Sequence, residues 1–246
     1  MIAGTKCLIV NADDFGQSPG VNRGIIRAHE HGIVTSASLM VRWPAAYEAA
    51  EYARSRPELG LGLHVDFGEW MYRSGEWVPL YEVVVLEDSK AVQTEVDWQL
   101  DRFHQLTGRD PDHIDSHQHF HTREEIRPIF EDVARRLGAS LRTCGPTVRY
   151  CGEFYGQTAE GEAFPEGITL AHLAGILQRL DSGFTELSCH PAEDADLNTM
   201  YREERRQELA VLCDPAASEA VNAAGVELCS FSDLAAGEKF WRKHGD

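Results

Sequence analysis

The stretch Cys7-Leu8-Ile9-Val10-Asn11-Ala12-Asp13-Asp14-Phe15-Gly16 decides the fold. Its first four residues form a short continuous apolar run, the pattern of a strand buried on both faces, as in a parallel sheet. Two adjacent carboxylates follow at once. Such groups are costly to hide, so they belong at the strand's C-terminal mouth, where parallel α/β folds bind ligands. A plain turn, Asp-Asp closed by Gly, is the alternative reading.

Outward from this strand, helical and extended patterns alternate. Gly20 to His31 reads as an amphipathic helix stopped by Gly32, and Thr35 to Val41 as a second strand. Pro44 to Arg56 is an Ala-rich helix, and Leu59 to Asp66 is a strand ending on His64-x-Asp66. Residues 68–90 read as a loop carrying Trp70, Tyr72, Trp77 and Tyr81, aromatics suited to stacking on sugar faces or to packing as a lid. Helical spacing returns over 91–107, and Glu124 to Leu137 is a helix with Pro128 in its first turn. Leu141 to Cys144 is a short strand and 145–168 an irregular excursion. Leu170 to Leu180 is a helix, Phe184 to Pro191 a strand ending on His190, and Tyr201 to Leu212 a charged helix. Gly225 to Phe231 is the last strand, followed by a short helix.

This alternation predicts an α/β fold with a parallel sheet of about seven strands. Polar residues end several strands, and a closed sheet brings all its strand ends around one rim. The expected architecture is therefore a single-domain, TIM-like (β/α) barrel over residues 1–246.

The composition narrows the partners. The net charge is -17, so nucleic acid and anionic membrane are poor partners, and a neutral or cationic small molecule fits better. The six cysteines include no C-x-x-C pair and sit mostly in apolar contexts, which reads as reduced thiols in the cytoplasm. The N-terminus runs directly into a strand, with no signal-peptide pattern, and no apolar run is long enough to span a bilayer. A homo-oligomer is compatible with this sequence.

The most concentrated chemistry lies at His113-Ile114-Asp115-Ser116-His117-Gln118-His119-Phe120-His121. In an extended run, alternate residues place all four histidines and Asp115 on one face. Imidazoles crowded on one face suit a site that keeps them neutral, and a metal ion is the usual reason. A catalytic divalent metal takes about three protein ligands plus an open position. Asp14, His64 and His117, from three strand ends, supply a carboxylate and two imidazoles. Asp13 is placed as general base, His190 as general acid, and Asp115 or Asp66 as the group fixing an imidazole's tautomer. If the run were helical instead, His113 and His117 would share a face and His113 would replace His64 as a ligand. The ligand set accepts zinc, cobalt, nickel, manganese or magnesium. It fits metal-assisted hydrolysis of an amide or ester. No G-x-S-x-G or phosphate-binding G-x-x-x-x-G-K-[ST] is present.

These segments resemble the YdjC-like family of carbohydrate deacetylases. The resemblance is carried by Leu8 to Gly16, Asn22-x-Gly24-Ile25-Ile26, Gly32 to Ser36, Gly62-Leu63-His64, His113 to His121, Phe154-Tyr155-Gly156 and Cys189-His190-Pro191. It implies a (β/α) barrel related to the polysaccharide deacetylases, one divalent metal ion, and removal of acetate from a small N-acetylated sugar. It assigns the metal to Asp14, His64 and His117, the base to Asp13 and the acid to His190. Arg142 resembles an arginine that orients the base; with Asp66, Trp70 and Tyr155 it completes the expected substrate side. One departure matters: after His64 this chain carries Val65-Asp66-Phe67-Gly68-Glu69-Trp70 where many relatives carry a Leu-Thr segment. That puts an acid and a tryptophan near the substrate, which need not be a chitin fragment. The rival readings are an amidase for a non-sugar amide and a non-catalytic sugar- or metal-binding protein.

Overall fold

The computed structural model describes residues 4–145, 147–194 and 196–234. In chain order the elements are β1 (Lys6–Phe15), α1 (Pro19–His31), β2 (Ser36–Leu39), α2 (Ala46–Ser55), β3 (Gly60–Val65), β4 (Gly68–Arg73), β5 (Glu76–Glu82) and α3 (Ser89–Thr107). Then come β6 (His113–Ser116), a 3-10 segment (His117–Thr122), α4 (Arg127–Leu137), β7 (Ser140–Leu141), β8 (Val148–Cys151) and a second 3-10 turn (Pro165–Ile168). The described chain closes with α5 (Leu170–Arg179), β9 (Gly183–Cys189), α6 (Glu203–Leu212), α7 (Pro215–Ala223) and β10 (Val226–Leu228).

The main sheet runs β7-β6-β3-β2-β1-β9-β8, every neighbour parallel, with β10 also paired to β1. The α/β barrel of about seven parallel strands is therefore present. It is an open barrel: among the described residues no ladder joins β7 to β8, and β7 is only two residues long. β1 is central and is buried from Leu8 to Phe15. The largest buried side chains include Phe15, Phe67, Phe103, Phe130 and Phe154, which fill the space between sheet and helices. Helix starts follow local chemistry: the Ser18, Asp88, Thr169 and Asp214 side chains accept backbone N–H bonds from the first turns of α1, α3, α5 and α7. Among the described residues, no helix is long and apolar enough to cross a membrane.

Several expectations change. The acids of the opening stretch are not in a turn after β1 but inside it, because β1 carries a bulge. Ala12 pairs with Ala37 and Phe15 with Leu39, so one extra residue is inserted on β1. The stretch 68–90 is not a plain loop: β4 and β5 form an antiparallel hairpin. The excursion 145–168 contains β8, which pairs with β9, and α7 was not anticipated. The short helix after the last strand begins at 231–234 and otherwise lies outside the described residues.

The histidine run is neither a continuous strand nor an α-helix. It is extended only to Ser116, then curls, with Gln118 and His119 at φ 51° and 57°. Ser116 drives the turn: its hydroxyl accepts the His121 N–H at 2.9 Å and meets the His121 Nδ1 at 2.9 Å. His121 is thereby fully buried, and burial pushes its imidazole down to about 4.

The folded His121 thus stays neutral while the unfolded chain, with an ordinary histidine value near 6.5, takes up a proton. Stability from this group is intact above about pH 6.5 and is lost as pH falls toward about 4, by up to about 3 kcal/mol. Urea unfolding at several pH values should show a flatter decline for His121→Gln than for wild type across that window. Parallel curves would refute the assignment.

Candidate metal centre

The bulge decides what the mouth of β1 can present. On a regular strand Asp13 and Asp14 would point to opposite faces. With the extra residue, and with Asp14 at φ 68°, both carboxylates line one cavity of about 610 Å³. Positive φ is unusual for a residue other than glycine, though Asp tolerates it better than most.

Asp14 gathers two imidazoles. Its Oδ1 lies 3.0 Å from His117 Nδ1 and 3.3 Å from His64 Nε2. His64 Nδ1 is committed to Asp115 Oδ1 at 2.7 Å, so its Nε2 faces Asp14. The donor atoms of Asp14, His64 and His117 all lie within 4.8 Å of one another, and all three residues are buried. Two imidazole nitrogens aimed at one carboxylate oxygen need an N–H hydrogen or a cation between each of them and that oxygen. Burial works against a charged His64, but Asp115 and Asp14 raise it to about 9. His117 is likewise raised well above the ordinary value: burial opposes it, and the Asp14 charge and hydrogen bond prevail. Two nitrogens and one oxygen in this acid-rich setting fit a divalent cation.

A second cluster, Asp13, His64 and Asp115, also has converging donor atoms. There the cationic place is already filled. Arg142 donates to both oxygens of Asp13 at 2.7 Å and reaches Asp115 Oδ2 at 2.8 Å. Its Nε also donates to Glu186 at 2.8 Å. Burial resists ionisation of Asp13, but the Arg142 guanidinium holds it below the usual carboxylate range. Asn11 Nδ2 adds a bond to Asp13 Oδ1 at 2.9 Å. On the other side, Arg205 Nη2 donates to Asp14 Oδ2 at 2.6 Å. Burial is again opposed, by Arg205 and His117, and Asp14 stays ionised.

His190 directly follows β9 and faces Asp13, its Nε2 3.8 Å from Asp13 Oδ2. Its Nδ1 lies 3.7 Å from Glu208 Oε1. Glu208 is fully buried, takes a bond from the His190 N–H and accepts the Tyr201 hydroxyl. Tyr155 lines the cavity and stacks on Tyr201 with ring centroids 4.5 Å apart. Trp70 also lines the cavity, edge-on to Phe120.

Asp13, Asp14, His64, His117, His190, Trp70 and Tyr155 thus meet at one cavity. Three expected residues lie elsewhere. Asp66 is fully buried outside the cavity lining, its carboxylate bonded to Trp43 Nε1 at 3.2 Å, the Gly68 N–H at 2.9 Å and the Tyr81 hydroxyl at 3.0 Å. Arg142 lies behind Asp13, outside the lining, where it orients the acid rather than reaching into the cavity. His113 points away from Asp14, bonded to Asp112 at 2.5 Å and Ser38 at 3.0 Å and stacked on Phe231. Gly62 makes room for it, since a Cβ there would sit 2.4 Å from the ring.

Sequence reasoning missed Arg205, Glu208 and Tyr201, reading α6 as a charged helix. The signal was present: Tyr201, Arg205, Glu208 and Leu212 recur at helical spacing, the pattern of an inward face. It also gave no role to Asn11, which lies in the opening stretch itself, nor to Ser38, Glu69 and Glu186, which sit in or beside the site.

Fold and cluster together define an open (β/α)-barrel protein with a carboxylate–imidazole centre at its strand mouths. The barrel is shared with a family 4 carbohydrate esterase from Streptomyces lividans solved in complex with acetate, at TM-score 0.53 and 12% identity over 93% of this chain and 92% of that one. It is shared more closely with an Enterococcus faecalis V583 protein provisionally described as a cellobiose-phosphate cleavage protein. That structure has TM-score 0.73 and 26% identity, covering 94% of this chain and 99% of the other. The chain belongs to the YdjC-like protein family, whose model matches residues 7–223. A carbohydrate deacetylase of Geobacillus stearothermophilus is 36% identical over 247 residues, 92% of this chain and 97% of the relative. A chitooligosaccharide deacetylase of Serratia marcescens is 33% identical over 264 residues, 93% of this chain and 99% of the relative.

Removing the Arg142 side chain would leave Asp13, Asp115 and Glu186 buried without their shared cation. Arg142→Ala should therefore lose about 3–5 kcal/mol in chemical denaturation. A loss below about 1 kcal/mol would mean that the three acids repack or neutralise without it.

Proposed function

We propose that this chain, as one domain, is a cytoplasmic divalent-metal-dependent deacetylase that releases acetate from a small N-acetylated sugar. The observation that carries this reading is the convergence of His64 Nε2 and His117 Nδ1 on Asp14 Oδ1, beside Asp13 and His190 in the same cavity. The deacetylases named among the relatives, similar over nearly the whole chain, supply the substrate class. The free thiols agree with a reducing compartment.

Asp14, His64 and His117 would hold the ion. When bound, a divalent cation supplies Lewis acidity to a water molecule and to the acetamide carbonyl. The rest falls to the protein. Arg142 and Asn11 fix the Asp13 carboxylate in one ionised orientation, ready to take the proton of the attacking water. Water oxygen bonds to the acetyl carbon, and the C–N bond breaks as His190 Nε2 gives a proton to the leaving amine. Glu208 orients His190 by facing its Nδ1. The products are acetate and the free amino sugar. Trp70 and Tyr155 offer apolar faces for the sugar ring, which a hydroxyl-rich but CH-faced substrate can stack upon.

Acetate release from an N-acetylated sugar panel tests this directly. Asp13→Asn and His190→Ala should each lower kcat by about 10²–10⁴ while thermal unfolding stays cooperative. Chelation should abolish turnover and metal should restore it. Wild-type rates in either variant, or turnover insensitive to chelation, would refute the mechanism. Release from simple acetamides but from no sugar would instead point to a non-sugar amidase.

A further inference from the structure

Glu69 is an acid in the cavity wall with no task in the chemistry above. It is 6% exposed, and among the described residues no Lys or Arg pairs with it and no donor comes within hydrogen-bond reach. A buried carboxylate left so is costly unless a positive or donating group faces it. His117 Nε2 faces it, 3.8 Å from Glu69 Oε2, and the Arg205 guanidinium in the same cavity also feels its charge. The His117 Nε2 is itself shielded from solvent and has no hydrogen-bond partner. The Glu69 carboxylate lines the cavity, so it is the side of the pair open to solvent.

The other imidazole of the centre shows what this pairing does. His64 turns one nitrogen to Asp14 and the other to a carboxylate, Asp115. His117 has the same layout with its nitrogens exchanged: Nδ1 meets Asp14 and Nε2 meets Glu69. The placement is built into two segments. Glu69 and Trp70 are consecutive on β4, and His117 and Gln118 are consecutive in the 3-10 segment. Beside the Glu69–His117 pair, the Gln118 side-chain amide accepts the Trp70 N–H at 2.9 Å and donates to the Trp70 carbonyl at 2.7 Å. The hairpin is thus latched to the ligand loop at adjoining residues. Gly68, at φ 134°, sets the hairpin's root, where a Cβ would come within 2.6 Å of the Tyr81 carbonyl oxygen.

Resting on the metal-centre reading above, we propose that Glu69 is a positioning residue that keeps the proton of His117 on Nε2, so that Nδ1 is the nitrogen offered beside Asp14. The present 3.8 Å is about 1 Å longer than a hydrogen bond, and such contacts tighten when a site is loaded. The hairpin that carries Trp70 toward the sugar therefore also completes the setting of a metal ligand.

Zinc titration by calorimetry, with ¹⁵N imidazole spectra of the zinc-loaded protein, tests the assignment without any sugar present. Glu69→Ala should bind zinc about 10–100-fold more weakly, and the protonated Nε2 signal of His117 should shift or broaden. Glu69→Gln, nearly isosteric and still an acceptor, should fall between and stands in if the alanine variant does not fold. Wild-type affinity with an unchanged His117 pattern in both variants would overturn the assignment while leaving the metal centre standing. Failure of the wild-type protein to take up zinc would overturn both.

Discussion

A regular strand cannot turn two consecutive side chains to the same cavity. The whole site depends on the one place where β1 breaks that rule. The bulge between Ala12 and Phe15 lets Asp13 and Asp14 face the mouth together, and Asp14 sits at φ 68° to do so. Other non-glycine residues at positive φ lie close by: Gln118 and His119 after His117, and Thr143 after Arg142. Backbone strain concentrated around a functional centre is held by the surrounding packing, and β1 is buried between β2 and β9 at this level.

Bringing two acids together raises a charge problem, and the two are solved differently. Asp13 is gripped by a guanidinium from the end of the β6–β7 side, which also holds Asp115 and Glu186. Asp14 is steadied by Arg205 from α6 on one oxygen, leaving the other to two imidazoles. The first acid is immobilised and shielded, which suits moving a proton along one direction. The second keeps an oxygen open toward nitrogen donors, which suits holding a cation. Their different neighbours, rather than their common side chain, separate the two roles.

The sequence made much of this legible because the fold repeats a readable unit and because the key groups end buried strands. Asp13, Asp14 and His64 follow apolar runs, and His190 closes an extended pattern just before Pro191, so their place at the mouth could be read without coordinates. What escaped was geometry that no short pattern encodes. The histidine run looked extended, yet Ser116 caps a curl that buries His121 and detaches His119 from the strand. Asp66 looked available to substrate, but the indole of Trp43 and the hydroxyl of Tyr81, 23 and 15 residues away, consume it. Arg205 and Glu208 looked solvated because charge outweighed spacing in the reading of α6. Sheet closure was overestimated because the shortness of β7 is a property of pairing, not of composition.

The seam between β7 and β8 also bears on how copies of the protein meet. An unclosed sheet exposes two rows of unpaired amides, the usual starting point for one molecule adding its strands to another. Here one border offers only Ser140 and Leu141, too short to template a partner, and the other is four residues long and carries Arg149, whose guanidinium folds back onto the carbonyls of Asp181 and Ser182. Both borders of the open seam therefore offer little unpaired backbone for a second copy to extend.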